Sequence, residues 1–176
     1  MKKTSVIISI VLAALSISAF AFADEVTIRM YLLTVEGTGK ETGTVTATDT
    51  QYGLLLVPDL KDISSGLHGF HVHQNPDCSP SVKDGKPVAG LAAGGHYDPA
   101  NTGRHEGPYG KGHLGDLPAL YAGPDGKIAL PVLAPRLKVS DIRGKSLMVH
   151  SGGDNYSDQP EKLGGGGARA ACGTVK

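Results

Sequence analysis

The chain has 176 residues, with 17 basic and 17 acidic side chains, 25 glycines, three phenylalanines, six tyrosines and no tryptophan. Such a length suits one domain of ordinary size, and glycine at about twice its ~7% average favours turns over long helices. The charges balance and form no basic block, which argues against a nucleic-acid partner.

Residues 1–23 begin with Lys2 and Lys3, continue as an apolar run over 6–22 and end in the small-residue triplet Ala21, Phe22, Ala23. A positive end, an apolar middle and an A-x-A site in that order predict a secretory signal peptide cleaved after Ala23. The alternative is a membrane anchor, but the run is a little short of the ~18 apolar residues that a spanning helix needs. No cysteine precedes Cys78, so a lipid-modified amino terminus is not expected. The mature protein is predicted to be one exported, soluble domain, 24–176, with no membrane anchor and a slightly acidic balance once the two lysines are gone.

Short β-branched and apolar stretches then recur between turn signals: 25–34, 42–49, 52–58, 67–73, 117–122, 127–134, 146–150 and 171–175. The first three, separated by turn-prone residues at 36–39 and 49–51, read as an antiparallel meander. Eight strands without a 3.6-residue periodicity predict an all-β sandwich or flattened barrel. Two segments interrupt the rhythm: 75–116, dense in Gly, Pro, Asp and Lys, and 151–167, polar and ending in four glycines. Loops of that length in a compact domain are usually functional, and each follows a strand that ends in histidine. The glycine run lacks the lysine and Ser/Thr of a phosphate cradle and reads as a flexible turn.

Six of the seven histidines form a pattern that packing does not require. His71 and His73, two apart on a strand, point to one face with Cα atoms about 6.5 Å apart and can converge on one ion. Alone that pair is a weak signal; His150, ending the strand at 146–150, adds a further donor. His105, His113 and Asp116 lie in a Gly-rich loop that gives no reason for buried imidazoles, and two nitrogens with a carboxylate suit zinc. His96, after Gly94 and Gly95, can supply the fourth donor. Six imidazoles and one carboxylate suit two adjacent metal ions. Cys78 and Cys172 are the whole cysteine supply, and export would place them in an oxidising compartment, where they are expected to join as a structural disulfide. A thiolate metal site is disfavoured because the cysteines lie far apart and the histidines already fill the ligand count.

Six segments carry a family resemblance: Gly69-Phe70-His71-Val72-His73, Gly94-Gly95-His96-Tyr97-Asp98-Pro99, His105-Glu106-Gly107-Pro108, Gly112-His113-Leu114-Gly115-Asp116-Leu117-Pro118, Met148-Val149-His150 and Gly165-Gly166-Gly167-Ala168-Arg169-Ala170-Ala171-Cys172-Gly173. In this order, across essentially the whole mature chain, they resemble copper,zinc superoxide dismutase in its bacterial periplasmic branch. The resemblance implies an eight-stranded antiparallel Greek-key sandwich or flattened barrel with two long functional loops. It implies copper on His71, His73, His96 and His150, and zinc on His96, His105, His113 and Asp116, one ion of each per subunit. His96 would bridge both ions as an imidazolate and, with Arg169 beside the copper, carry the catalysis. Asp154 would link a copper ligand to a zinc ligand, Cys78–Cys172 would be the intrasubunit disulfide, and His68 would be a hydrogen-bonded residue outside the ligand set. The implied activity turns two superoxide radicals and protons into dioxygen and hydrogen peroxide by copper redox cycling, in the periplasm, as protection against oxidative stress. Lys83, Lys86 and Lys111 are weaker candidates for attracting the anion, each as readily an ordinary solvated lysine. The resemblance permits a monomer or a homodimer, and the dimer is expected.

Two rivals use the same residues. A non-enzymatic periplasmic copper/zinc binding or buffering protein would share the ligands but have no need of Arg169 beside an open site. A zinc hydrolase needs an open water position, whereas four donors close the zinc set here, and no H-E-x-x-H occurs.

Overall fold

The computed structural model describes residues 23–176; the expected signal peptide, apart from Ala23, lies outside the described residues. The first three strands, β1 (Glu25–Thr34), β2 (Gly37–Thr50) and β3 (Gly53–Leu60), form the expected antiparallel meander. Alternation sets their inner face: Ile28 and Met30, Val45 and Ala47, and Leu54, Leu56 and Leu60 are buried, while their neighbours are more exposed.

Next come β4 (Gly66–His68) and β5 (Phe70–His73). The sequence at 67–73 reads as one strand, but it breaks at Gly69, whose amide donates to Gly152 O at 2.7 Å. A short ribbon follows, β6 (Ser81–Lys83) with β7 (Lys86–Val88), inside the segment expected to lack structure. It contains Asp84-Gly85 at its turn, both at positive φ, a two-residue hairpin signal that the surrounding loop composition masked. The remaining elements are β8 (Leu120–Ala122), β9 (Val132–Ala134), the one-turn helix α1 (Val139–Ile142), β10 (Ser146–His150) and β11 (Arg169–Thr174).

Seven strands form one antiparallel sheet in the order β5-β10-β11-β1-β2-β3-β9, with β4-β8 as a separate pair. The last strand pairs with the first, so both ends of the described residues are tied into the sheet. The sheet curls around a single core to which β1, β2, β3, β5, β8, β9, β10 and β11 all contribute. Each fully buried Leu or Phe there is worth about 1.5–3 kcal/mol. A smaller cluster of Cys78, Ala93, Met148 and Cys172 holds the loop after β5 against the outer side of β10 and β11.

β5 positions the site. All four of its residues are buried: Phe70 and Val72 point into the core, and His71 and His73 point outward under the long loops.

Candidate metal centre

On the outer face of β5, His71 and His73 lie opposite Met148 and Ser146 of β10. His150, at the end of β10, is fixed by its amide, which donates to Gly69 O at 2.8 Å. The long loop folds back over this face, with backbone bridges His73–His96 and His71–Asp116. Val72 N donates to Gly115 O at 2.9 Å and Tyr97 N donates to Val72 O at 2.8 Å. Such close approach requires glycine at 115, since a Cβ there would run into Val72 O. The second loop closes the other side: a Cβ at Gly164 would meet the Asp154 carboxylate and His105 Nε2.

All six candidate histidines and Asp116 are buried and gathered into one cluster. Donor atoms of His71, His73, His96 and His150 lie within 4.8 Å of one another, as do those of His71, His96, His105 and Asp116. His71 enters both sets because its ring stacks on that of His96, with centroids 3.8 Å apart. Hydrogen bonding separates the two roles. His71 Nε2 donates to Asp154 Oδ2 at 2.8 Å, so only its Nδ1 is free, on the side shared with His73 and His150. His113 stands outside both groups but beside the second, its Nδ1 3.3 Å from Asp116 Oδ1.

Each ring is oriented by one nitrogen. His73 Nδ1 donates to Gly94 O at 2.9 Å, His150 Nδ1 to Gly167 O at 3.3 Å, and His105 Nε2 to Asp154 Oδ1 at 2.7 Å. Their opposite nitrogens, with His71 Nδ1 and His113 Nδ1, are buried and have no hydrogen-bond partner. Leaving a buried polar atom unpaired costs about 1–3 kcal/mol, so five in one cluster call for a further partner. Two cations, one for each set, would supply it: four imidazole nitrogens suit copper, and three with a carboxylate suit zinc. His96 has Nδ1 2.9 Å from Asp116 Oδ1, which leaves its Nε2 for the other set.

The electrostatics follow from burial and the two carboxylates. Burial, then the neighbouring His96, pushes His71 down to about 3 and His150 down to about 4, and burial also lowers His73 and His96. These donors are therefore neutral at pH 7, as metal ligands must be. Burial opposes charge on Asp116 and Asp154, yet the imidazoles of His105 and His96 beside the first, and hydrogen bonds from His105 and His71 to the second, hold both far below the ordinary carboxylate range. For His105, burial is outweighed by Asp116 and Asp154, which raise it to about 9.

Arg169 donates to Gly90 O and, at 2.6 Å, to Gly94 O, the carbonyl that also orients His73. Cys78 and Cys172 form a disulfide that ties the loop to β11 near this arginine. His68 is buried outside the cluster, with its ring nitrogens 2.7 Å from the carbonyl oxygens of His150 and Ser64. Lys83 and Lys86 stand exposed on the β6-β7 ribbon and Lys111 is exposed in the loop. Sequence reasoning missed Lys162 and Glu161, which line a cavity of about 300 Å³ beside His150. It also missed the orienting carbonyls of Gly94 and Gly167, since no side-chain signal marks a carbonyl that faces a ring.

Residues 41–175 match the family model for copper/zinc superoxide dismutase (SODC). A Brucella abortus protein named superoxide dismutase [Cu-Zn] is 55% identical over 157 residues, covering 89% of this chain and 91% of its own length. The solved Cu/Zn superoxide dismutase from Brucella abortus superposes with a TM-score of 0.86 at 55% identity, over 87% of this chain and 100% of that one. The solution structure of the monomeric copper, zinc superoxide dismutase from Salmonella enterica gives 0.79 at 53% identity, over 87% and 100%.

Proposed function

The chain belongs to the copper/zinc superoxide dismutase family, and from that premise we propose how its side chains share the conversion of superoxide to dioxygen and hydrogen peroxide. It is an oxidoreductase with copper and zinc as cofactors and superoxide as substrate. We assign one copper per subunit to His71, His73, His96 and His150, and one zinc to His96, His105, His113 and Asp116. The observation that carries this assignment is the group of five buried imidazole nitrogens without partners, each on a ring whose other contacts aim it into the cluster.

When bound, copper supplies one-electron exchange with two superoxide anions in turn, oxidising one to dioxygen and reducing the other, with two protons, to hydrogen peroxide; zinc has no redox chemistry. His96 would be the proton carrier: its Nδ1 is held on the Asp116 side, and its Nε2, when free of the ion, would hold one of the two protons that peroxide needs, the other coming from water. Asp154 accepts from both His71 and His105 and so keeps the two halves in register. Arg169, fixed by two carbonyls, attracts the anion to the face it is to meet. A metal buffer is not favoured, since relatives at this identity are named superoxide dismutases.

We propose export to the periplasm after cleavage at Ala23. Lys2, Lys3 and the apolar run support it, and β1 begins at Glu25, just past the site. Among the described residues no helix is long and apolar enough to cross a membrane. We propose a homodimer in which exposed Leu67 and Tyr121, cross-strand partners on β4-β8, meet a second copy. Sedimentation velocity giving only monomer contradicts it.

The activity is tested by superoxide decay with protein loaded with both metals. Wild type is expected to accelerate decay, and Arg169→Ile to slow it on the order of tenfold, with weaker salt dependence and an intact copper absorption spectrum. An unchanged rate and salt dependence would remove Arg169 from the reaction.

A further inference from the structure

Arg136 lies outside every residue set assigned above, yet it is among the most heavily bonded side chains described. Its guanidinium donates to four backbone carbonyls of one loop: Nε to Pro108 O at 3.0 Å, Nη1 to Gly112 O at 3.2 Å, and Nη2 to Gly107 O at 3.2 Å and His113 O at 2.6 Å. The group offers five N–H donors in a rigid plane, so nearly its whole capacity is spent on this one segment.

That segment needs an external partner. It has no strand or helix of its own, and its backbone bonds are few: Gly110 N to Gly107 O at 3.4 Å, His113 N to Arg104 O at 2.9 Å and Asp116 N to His113 O at 3.4 Å. Carbonyls within it that turn away from water must find donors elsewhere. Arg136 supplies them from a fixed base. Two residues before it, Ala134 ends β9 in register with Leu54 of β3, and one residue after it Leu137 is buried in the core. The side chain therefore spans from the barrel wall to the loop and gathers both ends of the segment onto one plane. One of those ends is His113 itself; the other, Gly107, stands two residues after His105.

We propose that Arg136 is the positioning residue of the zinc half-site, holding the segment from 107 to 113 closed so that His105 and His113 face Asp116 before the ion arrives. The proposal rests on the zinc assignment made above. A lysine cannot replace the device, because a single ammonium is a point charge with three donors and cannot span four carbonyls set around a planar fork. Removing a group that orients metal ligands from behind typically costs 10–100-fold in affinity, without any ligand being touched.

The test compares zinc dissociation constants, by competition with a chromophoric chelator, for the mature protein and for Arg136→Met, Arg136→Lys, Arg143→Met and His113→Ala. Arg143 is a matched control: its guanidinium also bonds backbone, donating to Lys176 O at 2.7 Å, and donates to Asp24 Oδ1 at 3.2 Å, but it ties the residue before β1 to the last residue and does not touch the loop. Arg136→Met is expected to weaken zinc about 10–100-fold and Arg136→Lys to fall between it and wild type, with a changed visible spectrum when cobalt(II) replaces zinc. Arg143→Met should lower the unfolding temperature and leave zinc affinity unchanged.

Wild-type affinity in a folded Arg136→Met overturns the proposal, and so does an equal loss in Arg143→Met, which would make the effect one of general stability. Should Arg136→Met fail to fold, Arg136→Lys decides, and wild-type affinity there overturns it. His113→Ala separates the two levels of the reading: full zinc affinity in that variant sinks the ligand assignment itself, whereas its loss alongside intact Arg136 variants sinks only the clamp.

Discussion

His105 stands between two carboxylates, with Nε2 2.7 Å from Asp154 Oδ1 and Nδ1 3.0 Å from Asp116 Oδ2. Without metal its raised value of about 9 means that the ring holds a proton at pH 7. A folded-state value above the unfolded one, about 6.5, adds stability to the metal-free protein that is full below pH ~6.5 and is lost as pH rises through about 9. Zinc must displace that proton, so zinc affinity should rise about tenfold per pH unit between pH 7 and 9, with about one proton released per ion at pH 7. Calorimetry in buffers of different ionisation heat measures the release. The copper set behaves otherwise, because His71 and His150, held down to about 3 and 4, bind no proton that copper must expel at pH 7. Zinc binding without proton release at pH 7 would contradict this account of His105.

Among the elements, the boundaries legible in the sequence were those of apolar or alternating strands set off by turn and loop residues. β1 and β10 run as their patterns predict, because turn or loop residues follow the first and bound the second on both sides. β4 and β5 were read as one strand, since hydrophobic pattern does not register a break imposed by a backbone contact from Gly152. The β6-β7 ribbon was missed for the opposite reason: its strands are exposed and polar, with no buried face to produce alternation. The disulfide acts at this scale, joining the loop after β5 to β11 across 94 residues. Closing a loop of that length is worth about 4 to 5 kcal/mol in the chain-entropy model. Cys78→Ser should therefore lower the unfolding temperature by roughly 10 °C or more. Equal melting with and without reductant in the wild type would count against the staple.

For the molecule as a whole, the barrel is a frame that lets four distant parts of the chain meet. β5 brings His71 and His73, β10 brings His150, and the long loop delivers His96, His105, His113 and Asp116 onto the face of β5. The second loop adds Asp154, which accepts from rings of both sets. The side chains that gather in the cluster were legible in the sequence because histidines in glycine-rich loops have little other use when buried. The devices that aim them were not: Gly94 O, Gly167 O and the Arg136 clamp depend on three-dimensional placement, and Arg136 looks in sequence like any arginine in a turn after proline.

On the proposed assignment one imidazole, that of His96, serves both ions. Anomalous diffraction from crystals of the fully metallated protein, collected at the copper and zinc absorption edges, tests it most directly. Two separate peaks are expected with the His96 ring between them, Nδ1 toward zinc and Nε2 toward copper. A His96 ring turned away from either peak, or both metals mixed at a single position, would contradict it.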